Sequence, residues 1–165
     1  MRLFIAIRLS EEMRAAVARI QDEFRGRGVT GNYTPAENLH LTLAFIGEYP
    51  DSDAVLDVVD GVQLRPFSIA LEGVGAFGDL WWVGLKRSEP LEACARRLRH
   101  GLSDAGIPFD RKRFSPHITL IRRAEREGTS RMPGIEVPKV ETRVERLSLM
   151  RSDRGRGGMI YTEIR

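Results

Sequence analysis

The sequence holds one cysteine, three histidines and three lysines, and each scarcity excludes something. Cys94 stands alone, so no internal disulfide is possible and a reducing compartment fits. No apolar stretch approaches the length of a membrane span. The opening Met1-Arg2-Leu3-Phe4-Ile5-Ala6-Ile7 is too short for a signal peptide and runs straight into a helix start, so a cytoplasmic protein is expected. His40, His100 and His117 have no local carboxylate cluster, and no metal or other cofactor is expected. Lysine supplies only three of the 26 basic residues. The arginine bias suits a GC-rich genome first and bidentate phosphate contacts second. A net charge of +3 is compatible with an anionic ligand but too weak to identify one.

What is present is a tetrapeptide that occurs twice, His40-Leu41-Thr42-Leu43 and His117-Ile118-Thr119-Leu120. Each sits in an apolar run that reads as a buried strand, 39–46 and 117–121. Side chains two apart on a strand share a face. His40 therefore sides with Thr42 and His117 with Thr119, while the intervening apolar residues pack behind. One such histidine is as readily a satisfied strand residue as a functional one. Two of three histidines heading the same pattern is hard to reach by chance.

The surrounding pattern repeats as well. A strand over 3–9 leads to Ser10, a helix cap followed by Glu11 and Glu12, and then to an apolar stripe of Met13, Val17, Ile20 and Phe24. A polar connection over 30–38 precedes the first motif. In the second half, a strand over 80–85 leads to the cap Ser88, the stripe Leu91, Cys94, Leu98 and Leu102, and a basic connection before the second motif. Capping serine and motif histidine stand 30 residues apart in the first half and 29 in the second. This spacing predicts an internal duplication. Between the halves, Asp51 or Ser52 starts a helix, Phe67 to Leu71 forms a strand, and Gly73, Gly75 and Gly78 punctuate a loop. After the second motif come a charged loop over 125–137, strands over 144–150 and 159–164, and a hairpin loop over 153–158. One domain, 1–165, is expected, with the two halves as lobes.

Two like units tend to pack about a pseudo-twofold axis. That would set His40 and Thr42 against His117 and Thr119 across a groove. Two imidazoles either side of one group can take a proton from an attacking oxygen and give one to a departing oxygen near neutral pH. Threonine hydroxyls beside them suit phosphate oxygens.

Asn38-Leu39-His40-Leu41-Thr42-Leu43-Ala44-Phe45 and Pro116-His117-Ile118-Thr119-Leu120-Ile121-Arg122 resemble the paired motifs of the two-histidine phosphoesterases. The closer likeness is to the RNA 2′,3′-cyclic phosphodiesterase or 2′-5′ RNA ligase branch. It extends over the Phe4-Ile5-Ala6-Ile7 strand and the closing Leu147-Ser148-Leu149 and Tyr161 strands. The resemblance implies an α+β fold, bilobal, with pseudo-twofold duplicated antiparallel sheets around a central groove and helices outside. It implies metal-independent hydrolysis of RNA 2′,3′-cyclic phosphate ends to 2′-phosphomonoesters, and possible reversible 2′-5′ joining. It implies His40 as proton donor, His117 as proton acceptor, and Thr42 and Thr119 as phosphate holders. Arg122 matches the motif's closing arginine, although strict alternation puts it on the face opposite His117. Phe45 matches an aromatic of the first motif, and its parity assigns it to the core. Arg113, in the Arg111-Lys112-Arg113 run before the second motif, is a further candidate for RNA contact. The 154–158 loop lacks the Lys-Ser/Thr ending of a nucleotide-binding P-loop and reads as a turn. A monomer acting on RNA with a cyclic phosphate or 2′-5′ linkage, away from membranes, is the resulting expectation. A non-catalytic RNA-binding module and an enzyme for small cyclic nucleotides are the alternatives.

Overall fold

The computed structural model describes residues 1–129 and 131–165. Two antiparallel sheets carry the fold. The first has four strands in the order β3-β1-β8-β9: His40–Glu48, Arg2–Arg8, Ser148–Gly155 and Gly158–Glu163. The second has five in the order β2-β6-β5-β4-β7: Thr30–Tyr33, His117–Glu125, Leu80–Leu85, Phe67–Phe77 and Glu141–Val144. Three helices pack behind them, α1 (Glu11–Gly26), α2 (Ser52–Gly61) and α3 (Glu89–Asp104). The sheets approach each other along β3 and β6, the two strands that carry the repeated motif. This is the bilobal α+β arrangement that the resemblance implies.

The helices start where the sequence places their caps. Ser10 Oγ accepts from the Met13 N–H at 3.2 Å, and Ser88 Oγ from the Leu91 N–H at 3.2 Å. Asp51, rather than Ser52, caps α2 through the Ala54 N–H at 3.1 Å. Each cap satisfies an amide that the first helical turn leaves without a partner. The helices are exchanged between halves. α1, from the first half, packs on the second sheet, where Phe24 meets the buried Trp81 of β5 edge-on at 5.2 Å. α3, from the second half, touches β3 of the first sheet as well as β4, and α2 bridges α3 and β8. One cluster of buried apolar side chains runs through both sheets and all three helices.

Several boundaries differ from the sequence reading. The polar stretch 30–38 contains an edge strand, β2, and a short 3₁₀ turn over Ala36–Asn38, because β6 offers it an open edge. β4 does not stop at Gly73. It passes through Gly73 and Gly75 to Phe77, with the register shifting between Leu71 and Val74. The predicted strand over 144–150 is two strands in different sheets: β7 ends at Val144 and β8 starts at Ser148. The hairpin loop over 153–158 shrinks to a turn at Arg156-Gly157, since β8 and β9 pair out to Gly155 and Gly158. The loop expected over 125–137 is irregular after Glu125 apart from an Arg126–Thr129 bridge, and position 130 lies outside the described residues. Among the described residues no helix is long and apolar enough to cross a membrane.

Candidate active site

His40 and Thr42 of β3 and His117 and Thr119 of β6 line one cavity of about 590 Å³ between the sheets. The apolar partners point the other way: Leu41, Leu43, Ile118 and Leu120 are fully buried. The alternation inferred for the tetrapeptides is therefore present in both strands.

It then breaks, at the same place in each. Across β1 and β3, Ile5 pairs with Ala44 and Ala6 with Thr42, so Leu43 is passed over. Across β5 and β6, Trp81 pairs with Ile121 and Trp82 with Thr119, so Leu120 is passed over. Both are β-bulges, in which one extra residue reverses the alternation beyond it. Leu43 and Ala44 are both buried, as are Leu120 and Ile121. The residues five beyond each histidine, Phe45 and Arg122, thereby turn onto the histidine face and line the cavity. Phe45 is 51% exposed, which corrects its assignment to the core. Arg122 reaches the cavity despite the parity argument against it.

A helix side chain secures each bulge from behind. Gln21 of α1 is buried, and its amide donates to the carbonyls of Thr34 at 2.9 Å and Leu120 at 3.0 Å. Arg99 of α3 donates to the Leu43 carbonyl at 3.1 Å and to that of Lys112 at 2.7 Å. Gln21 and Arg99 each stand eleven residues after their helix's capping serine. They are equivalent in the duplication, and each serves the strand of the opposite half. Neither stood out in the sequence, because a polar residue in a helix reads as solvent-facing.

The two imidazoles are held alike at one nitrogen. His40 Nδ1 lies 2.6 Å from the Asn38 carbonyl oxygen, and His117 Nδ1 lies 2.7 Å from that of Ser115. A carbonyl only accepts, so Nδ1 carries a proton in both rings and Nε2 is left as the nitrogen facing the cavity chemistry. His40 Nε2 lies 2.7 Å from Thr42 Oγ1. The surroundings differ. Phe4 and Tyr161 pack on His40, with ring centroids at 4.9 and 5.3 Å, and Asn38 fastens the β9 turn by donating to the Met159 carbonyl at 2.9 Å. Burial depresses the His40 pKa below the usual imidazole value; the Asn38 carbonyl opposes this, and the charges of Arg122 and His117 add to the depression. His117 is the more open ring, edge-on to the exposed Phe77 at 5.1 Å, with Trp82 at 6.2 Å. The Trp82 indole lies over Gly75, its cross-strand partner, where a Cβ would collide with the ring.

Other candidates fall elsewhere. Arg113 is exposed and does not line the cavity, although Asp110 of the same connection does. His100 pairs with Asp104 at 3.3 Å on the outer face of α3. Cys94 is buried on its helix stripe, and of the two tryptophans Trp81 is core and Trp82 partly exposed. The cavity also takes in Arg2, Phe4, Ser152 and Tyr161 from the first sheet. Arg2 and Ser152 gave no signal in the sequence, since neither belongs to the repeated motif. No group of three His, Cys, Asp or Glu side chains suited to a metal ion occurs among the described residues.

Comparison with known proteins joins this geometry to a family. The family model described as the 2′-5′ RNA ligase superfamily matches residues 9–156, both motifs included. The chain belongs to that superfamily. It is 30% identical to an RNA 2′,3′-cyclic phosphodiesterase of Thermotoga maritima, over 98% of this chain and 91% of the relative. It is 35% identical to a protein of the same name from Thermus thermophilus, over 98% and 87% of the two. The structure of Escherichia coli LigT complexed with 3′-AMP superimposes with a TM-score of 0.82 at 28% identity, covering 99% of this chain and 95% of that one.

Proposed function

We propose that this superfamily member is an RNA 2′,3′-cyclic phosphodiesterase that opens cyclic phosphate ends to 2′-phosphomonoesters. The observation that carries the proposal is the pair of imidazoles on one cavity, each with Nδ1 tied to a carbonyl and Nε2 available for a proton. In this reading His117 Nε2, the lone-pair nitrogen of a neutral ring, accepts a proton from water as the oxygen attacks phosphorus. The bond from phosphorus to the 3′-oxygen breaks, and His40 Nε2 gives that oxygen its proton. The product carries a 2′-phosphate and a 3′-hydroxyl. The polarity of the pair follows the family resemblance.

The depressed pKa of His40 fits a donor that charges when substrate arrives. Burial and the Arg122 cation disfavour imidazolium in the empty cavity. A bound cyclic phosphate brings a negative charge that offsets Arg122 and favours the protonated ring. In the empty cavity neutral His40 accepts the Thr42 hydroxyl proton at Nε2; once the ring is charged, that nitrogen turns its proton to the 3′-oxygen and the released threonine hydroxyl donates to a phosphoryl oxygen. Thr119 takes the equivalent place on β6, and Arg122 supplies a bidentate contact to the charge that develops on phosphorus. The scheme uses protein groups alone.

Turnover of an oligonucleotide ending in a 2′,3′-cyclic phosphate, assayed with and without EDTA, tests the reading. The phosphate should remain on the 2′-oxygen. His40→Ala and His117→Ala should each lose at least a hundredfold in kcat while still binding RNA. Full activity in either variant would overturn the assignment, and loss of activity with EDTA would overturn the metal-free scheme. A 5′-hydroxyl in the place of water would attack the same phosphorus, release the same 3′-oxygen and leave a 2′-5′ linkage, so ligation is checked on the same substrate with a 5′-hydroxyl strand added.

A further inference from the structure

Arg2 is the cavity-lining arginine that the scheme above leaves without a task. It lies on β1 with its side chain on the cavity face, two residues before Phe4 and four before Ala6, the strand partner of Thr42. At about 3.3 Å per strand residue, Arg2 starts about 13 Å along β1 from the level of the Thr42 hydroxyl. Its guanidinium has no carboxylate or carbonyl partner among the described residues. The acidic residue opposite it, Glu48, is engaged by the Met1 amino group at 3.1 Å. Ser152 of β8 pairs with Arg2 across the strands and lines the same cavity, so an arginine and a serine enter it from neighbouring strand positions. Two adjacent donors, one of them charged and unpaired, form a site for an oxyanion.

The chemistry of the substrate says which oxyanion. A cyclic phosphate closes the 3′ end of a strand, so every other phosphate of the RNA lies on its 5′ side. The separation of Arg2 from Thr42 is what the spacing of adjacent phosphates and the reach of an arginine side chain span together. We infer that Arg2, with Ser152, holds the phosphodiester one nucleotide 5′ of the cyclic end, so that an oligonucleotide end is preferred to a mononucleoside cyclic phosphate. The inference rests on the phosphodiesterase reading and adds a second, non-reacting phosphate to it. Binding at this distance raises kcat/KM without touching the reacting atoms.

The experiment compares kcat/KM for a mononucleoside 2′,3′-cyclic phosphate bearing a 5′-hydroxyl with that for the dinucleotide cyclic phosphate. A third substrate is the dinucleotide with its internal linkage replaced by a neutral methylphosphonate. Wild type should favour the dinucleotide by about tenfold or more and lose most of that preference with the methylphosphonate. Arg2→Gln should cost the dinucleotide about tenfold, the mononucleotide less than about threefold, and make charged and neutral linkages equivalent. Arg2→Lys should fall between. The salt dependence of dinucleotide kcat/KM should weaken by about one phosphate contact in Arg2→Gln. Equal losses on all three substrates, or no dinucleotide preference in wild type, would overturn the inference and leave the cyclic phosphodiesterase reading intact. Wild-type failure on every substrate would overturn that reading itself, and the inference with it.

Discussion

Gln21 offers the sharpest test of how the site is built. Gln21→Met keeps the length of the side chain and removes both amide donors. The side chain is 3% exposed, so water does not replace them. The Thr34 carbonyl loses its 2.9 Å partner, while the Leu120 carbonyl keeps the Thr34 N–H at 2.9 Å and loses only the second bond at 3.0 Å. One half-buried acceptor is left without its donor and a second is weakened. Stranding a buried group costs about 1–3 kcal/mol and an ordinary hydrogen bond is worth about 1, so a net loss of about 2 kcal/mol is expected after the apolar gain of methionine. Urea unfolding should show it as a lower midpoint at unchanged slope. A second effect should accompany the first. With the bulge no longer held at Leu120, Arg122 is free to leave the cavity face, and kcat/KM on a cyclic-phosphate dinucleotide should fall by about tenfold well below the unfolding midpoint. Stability within about 0.5 kcal/mol of wild type would refute the accounting at Gln21. Lost stability with undiminished kcat/KM would refute the link from bulge to Arg122.

Two further outcomes follow from titrating groups. Nitrogen-detected NMR of the imidazoles should find neutral His40 and His117 as Nδ1–H tautomers. The His40 pKa should lie below 6.5 in the free protein, rise in Arg122→Gln, and rise again when inorganic phosphate binds wild type; an unperturbed His40 would contradict the desolvation argument. Glu163 is held down to about 2, chiefly by its hydrogen bond from Arg146, with Arg8 and Ser148 adding theirs. Between its unfolded value near 4.5 and about 2 the unfolded chain binds the extra proton, so stability should fall as pH falls through that window. Glu163→Gln should start less stable at neutral pH and stay flatter across the window, and parallel profiles for the two proteins would count against the cluster.

The parts of the fold that were legible in the sequence are those with local causes. Ser10, Ser88 and Asp51 announce helix starts, since a cap acts within one turn. The strand at Leu80–Leu85 and the two motif strands carry alternation or apolar runs that need no partner to recognise. The errors all involve a neighbour in space. β2 forms on polar residues because β6 has an open edge. Residues 144–150 divide because two sheets compete for them. Strict alternation puts Phe45 in the core and Arg122 on the wrong face, because each strand holds a bulge whose stabilising partner, Arg99 or Gln21, lies 56 or 99 residues away. The histidine and threonine pairs announced themselves by repetition. Arg2, on an unrepeated strand, did not.

The duplication also explains why two like histidines come to differ. β9 and β7 hold corresponding places at the far edges of their sheets, outside β8 and β4. β9 pairs with β8 along the cavity end, from Ser152–Tyr161 to Gly155–Gly158, and brings Tyr161 against His40. β7 is short and pairs only with Phe67–Ala70, so the end of β4 that reaches His117 is left uncovered, with Phe77 as its exposed edge. The ring covered by β9 is the desolvated one, and the ring beside the bare end of β4 stays open to solvent. An attacking water must reach the base from bulk solvent, whereas a departing ribose oxygen is delivered by the substrate itself. The open ring is thus suited to activate water and the covered ring to protonate the leaving oxygen. That division agrees with the proposed roles of His117 and His40, and it comes from the length and register of two edge strands outside the repeated motif.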